Sequence, residues 1–485
     1  MNNLNKKSLS EVLVGLKAKE FSCAELVTDC LTRIEKTDSQ VKSFLKVYPE
    51  FALEKAKKLD REFSKDSQIF DKKPLFGIPI SVKDLYCTEG FTTTAGSKIL
   101  EKFIPTYEST VTQKLWDSGA IFLGKTNLDA WAHGSSTERS DFFTTRNPWD
   151  LTRIPGGSSG GSAASIVSDQ TIASIGTETG GSIRQPASLC GCVGLKPTYG
   201  RVSRWGVISM ASSTDCPGPL TKTVEDSARI LKVIAGKDRF DATSSFEKVE
   251  NYFTAFKNLS IKNLRIGVPK EYFVAGTEKS VIKTVRTAID FFQKLGAKIS
   301  EVSLMDPKYS VAVYTIIQRA EVSSNLARYD GIRYGNKRSF FGREAKRRIM
   351  LGTFALSNLL KEIIKGDEPA YIKAQRARTL IIRDFENVFK KIDVIVAPTS
   401  PNTAIKIGES EENPMFGELS DQLVLGSTMA GLPGININCG FSNNLPIGMQ
   451  IIGPQFSETR ILGLAHLYET NTKWGKMRPN LEDLK

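Results

Sequence analysis

Histidine is nearly absent: the 485 residues hold only His133 and His466. Imidazole catalysis and His-rich metal sites are thereby narrowed to two positions. The seven cysteines (Cys23, Cys30, Cys87, Cys190, Cys192, Cys216 and Cys439) are odd in number, scattered, and include no C-x-x-C pair. That pattern argues against a disulfide framework or a zinc site and for buried free thiols. No run of 18 apolar residues occurs, so no membrane span is expected. Met1 to Glu20 does not have the form of a signal peptide, because Glu11 and Lys17 interrupt its only apolar stretch. A cytoplasmic protein is expected. No Pro/Ser-rich or charged linker divides the chain and no internal repeat is evident, which points to one large domain over 1–485.

What is present is an ordinary globular balance, with 40% apolar and 25% charged residues. The net charge of +13 suits nucleic acid or an acidic partner. The lysines are nevertheless spread along the chain rather than gathered in one block, so charge does not decide function. The start reads as helical over roughly 1–70. Capping boxes stand at Ser8-Leu9-Ser10-Glu11 and Ser22-Cys23-Ala24-Glu25, the second followed by helical apolar spacing over Ala24 to Ile34.

From Gly77 to Asp84, Ile78, Ile80 and Val82 alternate with Pro79, Ser81 and Lys83, which predicts a strand ending at Lys83. A helix is expected over Glu108–Asp117 and a buried strand over Ala120–Leu123. Between Asn147 and Gly200 the composition turns to Gly, Ser, Thr and Pro, interrupted by Ile166–Val167, Ile172–Ile175 and Val193–Leu195. This stretch reads as tightly packed loops within a core. Later, Leu264, Ile266 and Val268 predict a strand. Val281, Val285, Ala288, Phe292 and Leu295 share one helical face ending at Gly296, and Ala297–Val302 and Lys391–Ala397 predict further strands. Gly434–Gly440 and Ile447–Gly453, flanking Phe441–Pro446, predict a hairpin. The fold class expected is α/β, a mixed central sheet covered by helices on both faces. Its parts are a signature core over roughly 71–240 and a C-terminal α/β part over roughly 241–485.

Two pattern matches fail their context. Gly119 to Thr126 satisfies the phosphate-loop pattern, but its four middle residues are themselves the expected strand, whereas a phosphate cradle needs exposed backbone amides after one. Gly157-Ser158-Ser159-Gly160-Gly161 fits G-x-S-x-G, but Arg153-Ile154-Pro155-Gly156 is a poor strand to precede a nucleophile elbow. Both histidines are poor partners for it, which leaves a Ser-His-Asp hydrolase as a weak alternative. His466 lies in an apolar helical run, as a packed residue does, and His133, just before Gly134, reads as a helix C-terminal residue favoured by the helix dipole.

Three segments carry chemistry together: Gly77-Ile-Pro-Ile-Ser-Val-Lys83-Asp84, Gly156-Gly-Ser158-Ser159-Gly-Gly-Ser162, and Gly176-Thr-Glu-Thr-Gly180-Gly181-Ser182-Ile-Arg184-Gln-Pro186. Taken singly they are flexible loops and a solvated lysine. In this order and spacing they resemble the amidase signature family, most densely from Phe76 to Gly236 and again at Met429–Gly453. The resemblance implies a Lys–Ser–Ser triad with Ser182 as nucleophile, Ser158 as relay and Lys83 as base. It also implies a cis peptide before Ser158 and an oxyanion hole built from Thr179, Gly180 and Gly181.

The residue types suit that chemistry. An amide carbonyl is a poor electrophile, so the attacking hydroxyl needs a base, and a lysine serves only when uncharged. Lowering its pKa by roughly 3 units corresponds to about 4 kcal/mol, obtainable by burial among neighbours such as Ile80 and Val82.

The segments Glu321 to Gly335, Lys346 to Phe354 and Ala374 to Leu380 are similar, more narrowly, to the A subunits of glutamyl-tRNA(Gln) amidotransferases. That likeness implies hydrolysis of glutamine, with the ammonia passed to a partner subunit that uses ATP and Mg to amidate misacylated Glu-tRNA(Gln). It implies two partner subunits (B and C) in a heterotrimer, contact with tRNA mainly through the partner, and no cofactor or metal in this chain.

Arg348 and Asp421, with Tyr314 as a lesser candidate, match the positions that recognise glutamine. An amino acid substrate calls for one charge of each sign. Otherwise Arg348 is a solvated charge beside Lys346 and Arg347, and Asp421 a loop residue or cap. The chain departs from the family pattern by a shortened stretch between Tyr334 and Phe341 and a lengthened one over Asn358–Pro369. A free-standing small-molecule amidase and a non-catalytic scaffold are the alternative readings.

Overall fold

Both sequence-predicted capping boxes form. Ser8 Oγ accepts the Glu11 amide at 3.2 Å while Glu11 accepts the Ser8 amide at 2.7 Å, and Ser22 and Glu25 repeat the exchange at 3.1 and 2.7 Å. Each box satisfies amides that the first helical turn leaves unpaired, and together they start the helices Leu9–Lys17 and Cys23–Val41. The computed structural model describes residues 3–66, 68–273, 276–363 and 368–481. Part of the lengthened 358–369 stretch therefore lies outside the described residues.

Eleven strands form one sheet among the described residues. They are β1 (Phe44–Val47), β2 (Pro79–Lys83), β3 (Ile121–Thr126), β4 (Ala173–Glu178), β5 (Val193–Lys196), β6 (Cys216–Thr221), β7 (Arg265–Pro269), β8 (Lys298–Val302), β9 (Val394–Pro398), β10 (Gly434–Ser442) and β11 (Leu445–Ile452). Their order is β1-β3-β2-β4-β6-β5-β10-β11-β9-β7-β8. The sheet is mixed: β2 runs parallel to β3 and β4, and β7 parallel to β8 and β9, while β4–β6 and β10–β11 are antiparallel. Helices flank it on both faces, the α/β class expected.

β2 is buried on both faces. Ile80 and Val82 belong to the large core shared with Leu16, Leu26 and Val27 of the first helices. Ser81 and Lys83 face the other way, toward the helix Gly160–Val167, where Ser81 meets Ser165 and Ser174 at 3.4 and 2.8 Å. Lys83 is thus carried at the C-terminal end of a central strand into the interior, away from bulk solvent.

The hairpin is longer than the sequence indicates. β10 and β11 extend through Phe441 and Pro446 to a two-residue turn, Asn443-Asn444, with both φ values positive at 49° and 62°. Asparagine tolerates that left-handed conformation, the one a type I′ turn needs.

The reading of 147–200 as packed loops is corrected. The stretch is buried, but its Gly-Gly-Ser-Ala-Ala run is the helix Gly160–Val167, followed by β4, the helix Arg184–Cys190 and β5. Low intrinsic propensity is overridden by burial on every side, and hydroxyls satisfy one another inside: Ser162 meets Thr126 at 2.8 Å and Ser165 donates to the Ser162 carbonyl at 2.9 Å. The phosphate-loop match is a strand as expected, and its Lys125 is buried beside Asp84 at 3.8 Å. All seven cysteines are free and buried. No helix among the described residues is long and apolar enough to cross a membrane.

Candidate active site

Lys83, at the end of β2, is fully buried, and its Nζ meets four oxygens: Ser158 Oγ at 2.8 Å, Ser159 Oγ at 2.9 Å, Thr177 Oγ1 at 2.9 Å and the Thr177 carbonyl at 3.4 Å. Burial lowers its pKa from 10.5 to about 7, outweighing the opposing charges of Asp129, Asp215 and Glu178. Around neutral pH an appreciable fraction of the amine is uncharged. A neutral amine has two N–H groups, which the Ser159 and Thr177 oxygens can take, and one lone pair, which the Ser158 hydroxyl can fill.

The Gly157–Ser158 peptide is cis. It lies in the turn entering the helix Gly160–Val167, where the Ser159 hydroxyl donates to the Thr177 carbonyl of β4 at 3.2 Å. The Ser159 amide donates to the Ser182 carbonyl at 3.2 Å, which brings the two serine segments side by side. Lys83 and Ser158 are therefore hydrogen-bonded to each other, whereas the Ser182 hydroxyl takes no hydrogen bond from Ser158 among the described residues.

The loop from Thr179 to Ile183 is held at both ends. Glu178, the last residue of β4, accepts the amides of Ile183 and Arg184 at 3.1 and 2.9 Å and the Arg184 guanidinium at 2.9 and 2.6 Å, all fully buried. Arg184 also reaches Ser427, Gln450 and Thr428 at 3.0, 2.8 and 2.9 Å, tying the loop to the helix Gln422–Met429 and to β11. Thr179 donates its hydroxyl to Asp215 at 2.6 Å, and burial raises Asp215 to about 6.

Of the amides expected to meet an oxyanion, that of Gly181 is donated to Asp421 Oδ2 at 3.1 Å. The amides of Thr179, Gly180 and Ser182 take no acceptor among the described residues. A side chain at Gly181 would come within 2.5 Å of Asp421, and one at Gly180 within 3.0 Å of the Tyr314 hydroxyl. At Gly181 only glycine permits that approach without a shift of its neighbours.

Asp421 and Tyr314 therefore stand directly beside the loop. Asp421 is buried and accepts Ser135 Oγ at 3.0 Å, while its Oδ1 has no hydrogen-bond partner. Burial, reinforced by Glu178, holds it well above the usual carboxylate range. Arg348 is not a solvated charge. Its side chain is 4% exposed against 31% for Arg347, and its Nε donates to Glu344 at 2.7 Å while Nη1 has no partner. Tyr314 and Glu418 lie within its electrostatic reach. One buried carboxyl oxygen and one buried guanidinium nitrogen are left open around Tyr314.

A family model described as Amidase matches residues 25–462. The chain belongs to the amidase signature family. It is 47% identical over 490 residues to the glutamyl-tRNA(Gln) amidotransferase A subunit of Carboxydothermus hydrogenoformans, covering 98% of this chain and 99% of the relative. Among solved structures it is similar to the glutamyl-tRNA(Gln) amidotransferase A subunit of Thermotoga maritima, with 38% identity, a TM-score of 0.83, and 100% and 99% of the two chains covered. The peptide amidase of Stenotrophomonas maltophilia superposes with a TM-score of 0.82 at 27% identity, over 96% and 97%.

Within the amidase, sequence reasoning missed several groups around Lys83. Ser159 and Thr177 lie inside the motifs and were legible as neighbours. Asp129 and Asp215 come from distant loops and carried no sequence signal. The reading of His133 as a dipole-favoured helix end is corrected: it follows the short 3-10 turn Ala130–Ala132, its imidazole is buried, and burial together with Arg348, Arg319 and Arg139 pushes its pKa well below the usual value. His466, in the helix Glu458–Asn471, is half-buried. Among the described residues no group of three or more His, Cys, Asp or Glu is placed to hold a metal ion.

Proposed function

We propose that this chain is the glutamine-hydrolysing subunit of a tRNA-dependent amidotransferase, with Ser182 as nucleophile, Ser158 as relay and Lys83 as base. The observation that carries the reading is a fully buried lysine, lowered to about 7, within 2.8 Å of Ser158 in a chain similar along its whole length to such subunits.

Glutamine enters as a zwitterion, its α-carboxylate toward Arg348 Nη1 and its ammonium toward Asp421 Oδ1, beside Tyr314. Ser182 Oγ turns toward Ser158 and attacks the side-chain carbonyl carbon. Its proton passes to Ser158 as the Ser158 proton passes to Lys83 Nζ. The negative oxygen so formed is met by the open amides of the 179–182 loop, a stabilisation that one donor typically provides at about 2.7–4 kcal/mol. Lys83 then returns its proton through Ser158 to the departing nitrogen, and ammonia leaves a γ-glutamyl ester on Ser182. Water, deprotonated by the same relay, hydrolyses the ester to glutamate and restores the serine.

The ammonia is used by a partner subunit, which activates misacylated Glu-tRNA(Gln) with ATP and Mg. With a further subunit the assembly is a heterotrimer, and the tRNA is held mainly by the partner. The experiment is ammonia release from glutamine by this chain with and without its partners and Glu-tRNA(Gln), for wild type and Ser182→Ala. The reading expects partner-dependent turnover and, in the variant, a loss of about ten-thousand-fold or more. Strong turnover indifferent to partners supports a free-standing amidase instead.

A further inference from the structure

More buried polar atoms are left open than one guanidinium and one carboxylate supply. Arg348 Nη1 and Asp421 Oδ1 are buried without partners, and so are both ring nitrogens of His133 and the Gln318 Nε2 amide. An unmet buried polar atom costs about 1–3 kcal/mol, so these nitrogens are available to hydrogen-bond a molecule entering the site.

The position of His133 points the same way. Two residues on, Ser135 donates to Asp421 at 3.0 Å and to the Gly417 carbonyl at 3.2 Å. Next to it, Ser136 and Thr137 donate their amides to Asp129 at 3.3 and 2.9 Å. The segment from His133 to Thr137 is thus fixed between Asp421 on one side and the turn before it on the other. Around His133 stand three guanidiniums. Arg348 is one. Arg319 forms an ion pair with Glu418 at 2.7 Å that lacks hydrogen-bond alignment, and Arg139 pairs with Glu344 at 2.8 Å. Burial, reinforced by these three cations, keeps the imidazole neutral, with one N–H to give and one lone pair to receive. They also draw an anion toward it.

We propose that His133 is a specificity-determining residue of this amidase, its buried imidazole N–H completing, with Arg348, the recognition of the substrate's α-carboxylate. This rests on the glutaminase reading. A neutral donor adds direction to the guanidinium's charge without adding a fourth positive group, and selects amino acid amides over amides that lack a carboxylate.

The test compares kcat/KM for glutamine with that for 4-aminobutanamide, its analogue without the carboxylate, in the assembled enzyme. Wild type, His133→Phe, His133→Asn and Ser182→Ala are measured, and the glutamine Kd is measured by calorimetry in the Ser182→Ala background with and without His133→Phe. Loss of one neutral hydrogen bond predicts that His133→Phe lowers the glutamine preference about tenfold through KM rather than kcat and weakens Kd by the same factor. His133→Asn, which keeps a donor, recovers part of it. An unchanged preference and Kd in His133→Phe overturns the proposal, as does an equal loss on both amides. If His133→Phe fails to fold, the His133→Ala variant is read by the same ratio. Activity persisting in Ser182→Ala sinks the glutaminase reading itself; an inactive Ser182→Ala with an unmoved ratio in His133→Phe sinks only the role of His133.

Discussion

In the proposed mechanism Lys83 is the base, and its charge is set by its surroundings rather than by its type. A displacement from 10.5 to about 7 corresponds to about 5 kcal/mol against the charged form. The amine must be uncharged to accept the Ser158 proton, so kcat/KM for glutamine should rise with pH, bend near 7, and fall about tenfold per unit below. A pH–rate profile of the assembled enzyme checks this, and a flat profile through neutrality contradicts it. The same displacement is a cost to the fold. Between the two values the folded chain holds Lys83 uncharged and the unfolded chain holds it charged. Below about 7 both are charged and the cost is complete, and above 10.5 it vanishes. Replacing Lys83 by Met should abolish activity while raising the unfolding midpoint relative to wild type by more at about pH 6 than at about pH 10. Denaturant titrations at the two pH values measure it; an equal change at both counts against a buried, perturbed lysine.

At the scale of the element, the loop between β4 and the helix Arg184–Cys190 owes its shape to one buried ion pair. Glu178 and Arg184 span the loop and bind both its exit amides and the neighbouring helix. Glu178→Gln leaves a buried guanidinium without a counter-charge, a change expected to cost about 3–5 kcal/mol. A lowered melting temperature together with a fall in kcat is the expected outcome, and an unchanged melting temperature refutes the role given to the pair. The local elements with strong periodicity were legible in the sequence. The helix Lys279–Lys294 and strands β7 and β8 fall where the apolar spacing put them. The helix Gly160–Val167 was not, because its residues form helix only when packed on all sides. Lys83, Ser158, Ser182 and Asp421 could be named from motif and resemblance. The hold of Asp421 on the Gly181 amide, across 240 residues, depends on which loops the sheet brings together and leaves no local signature.

The whole molecule explains how distant segments come to share one site. β2 and β4 are the third and fourth strands in the order of the eleven-stranded sheet, while Tyr314, Arg348 and Asp421 come from the later helices. Lys83, Ser158 and Ser182 are all buried there. The most direct measurement is an acid quench of the assembled enzyme during turnover of glutamine, followed by mass spectrometry of its peptides. The account predicts a γ-glutamyl ester on Ser182, absent from Ser182→Ala. An adduct on Ser158 or Ser159 instead, or continued ammonia release by the Ser182→Ala variant, contradicts it.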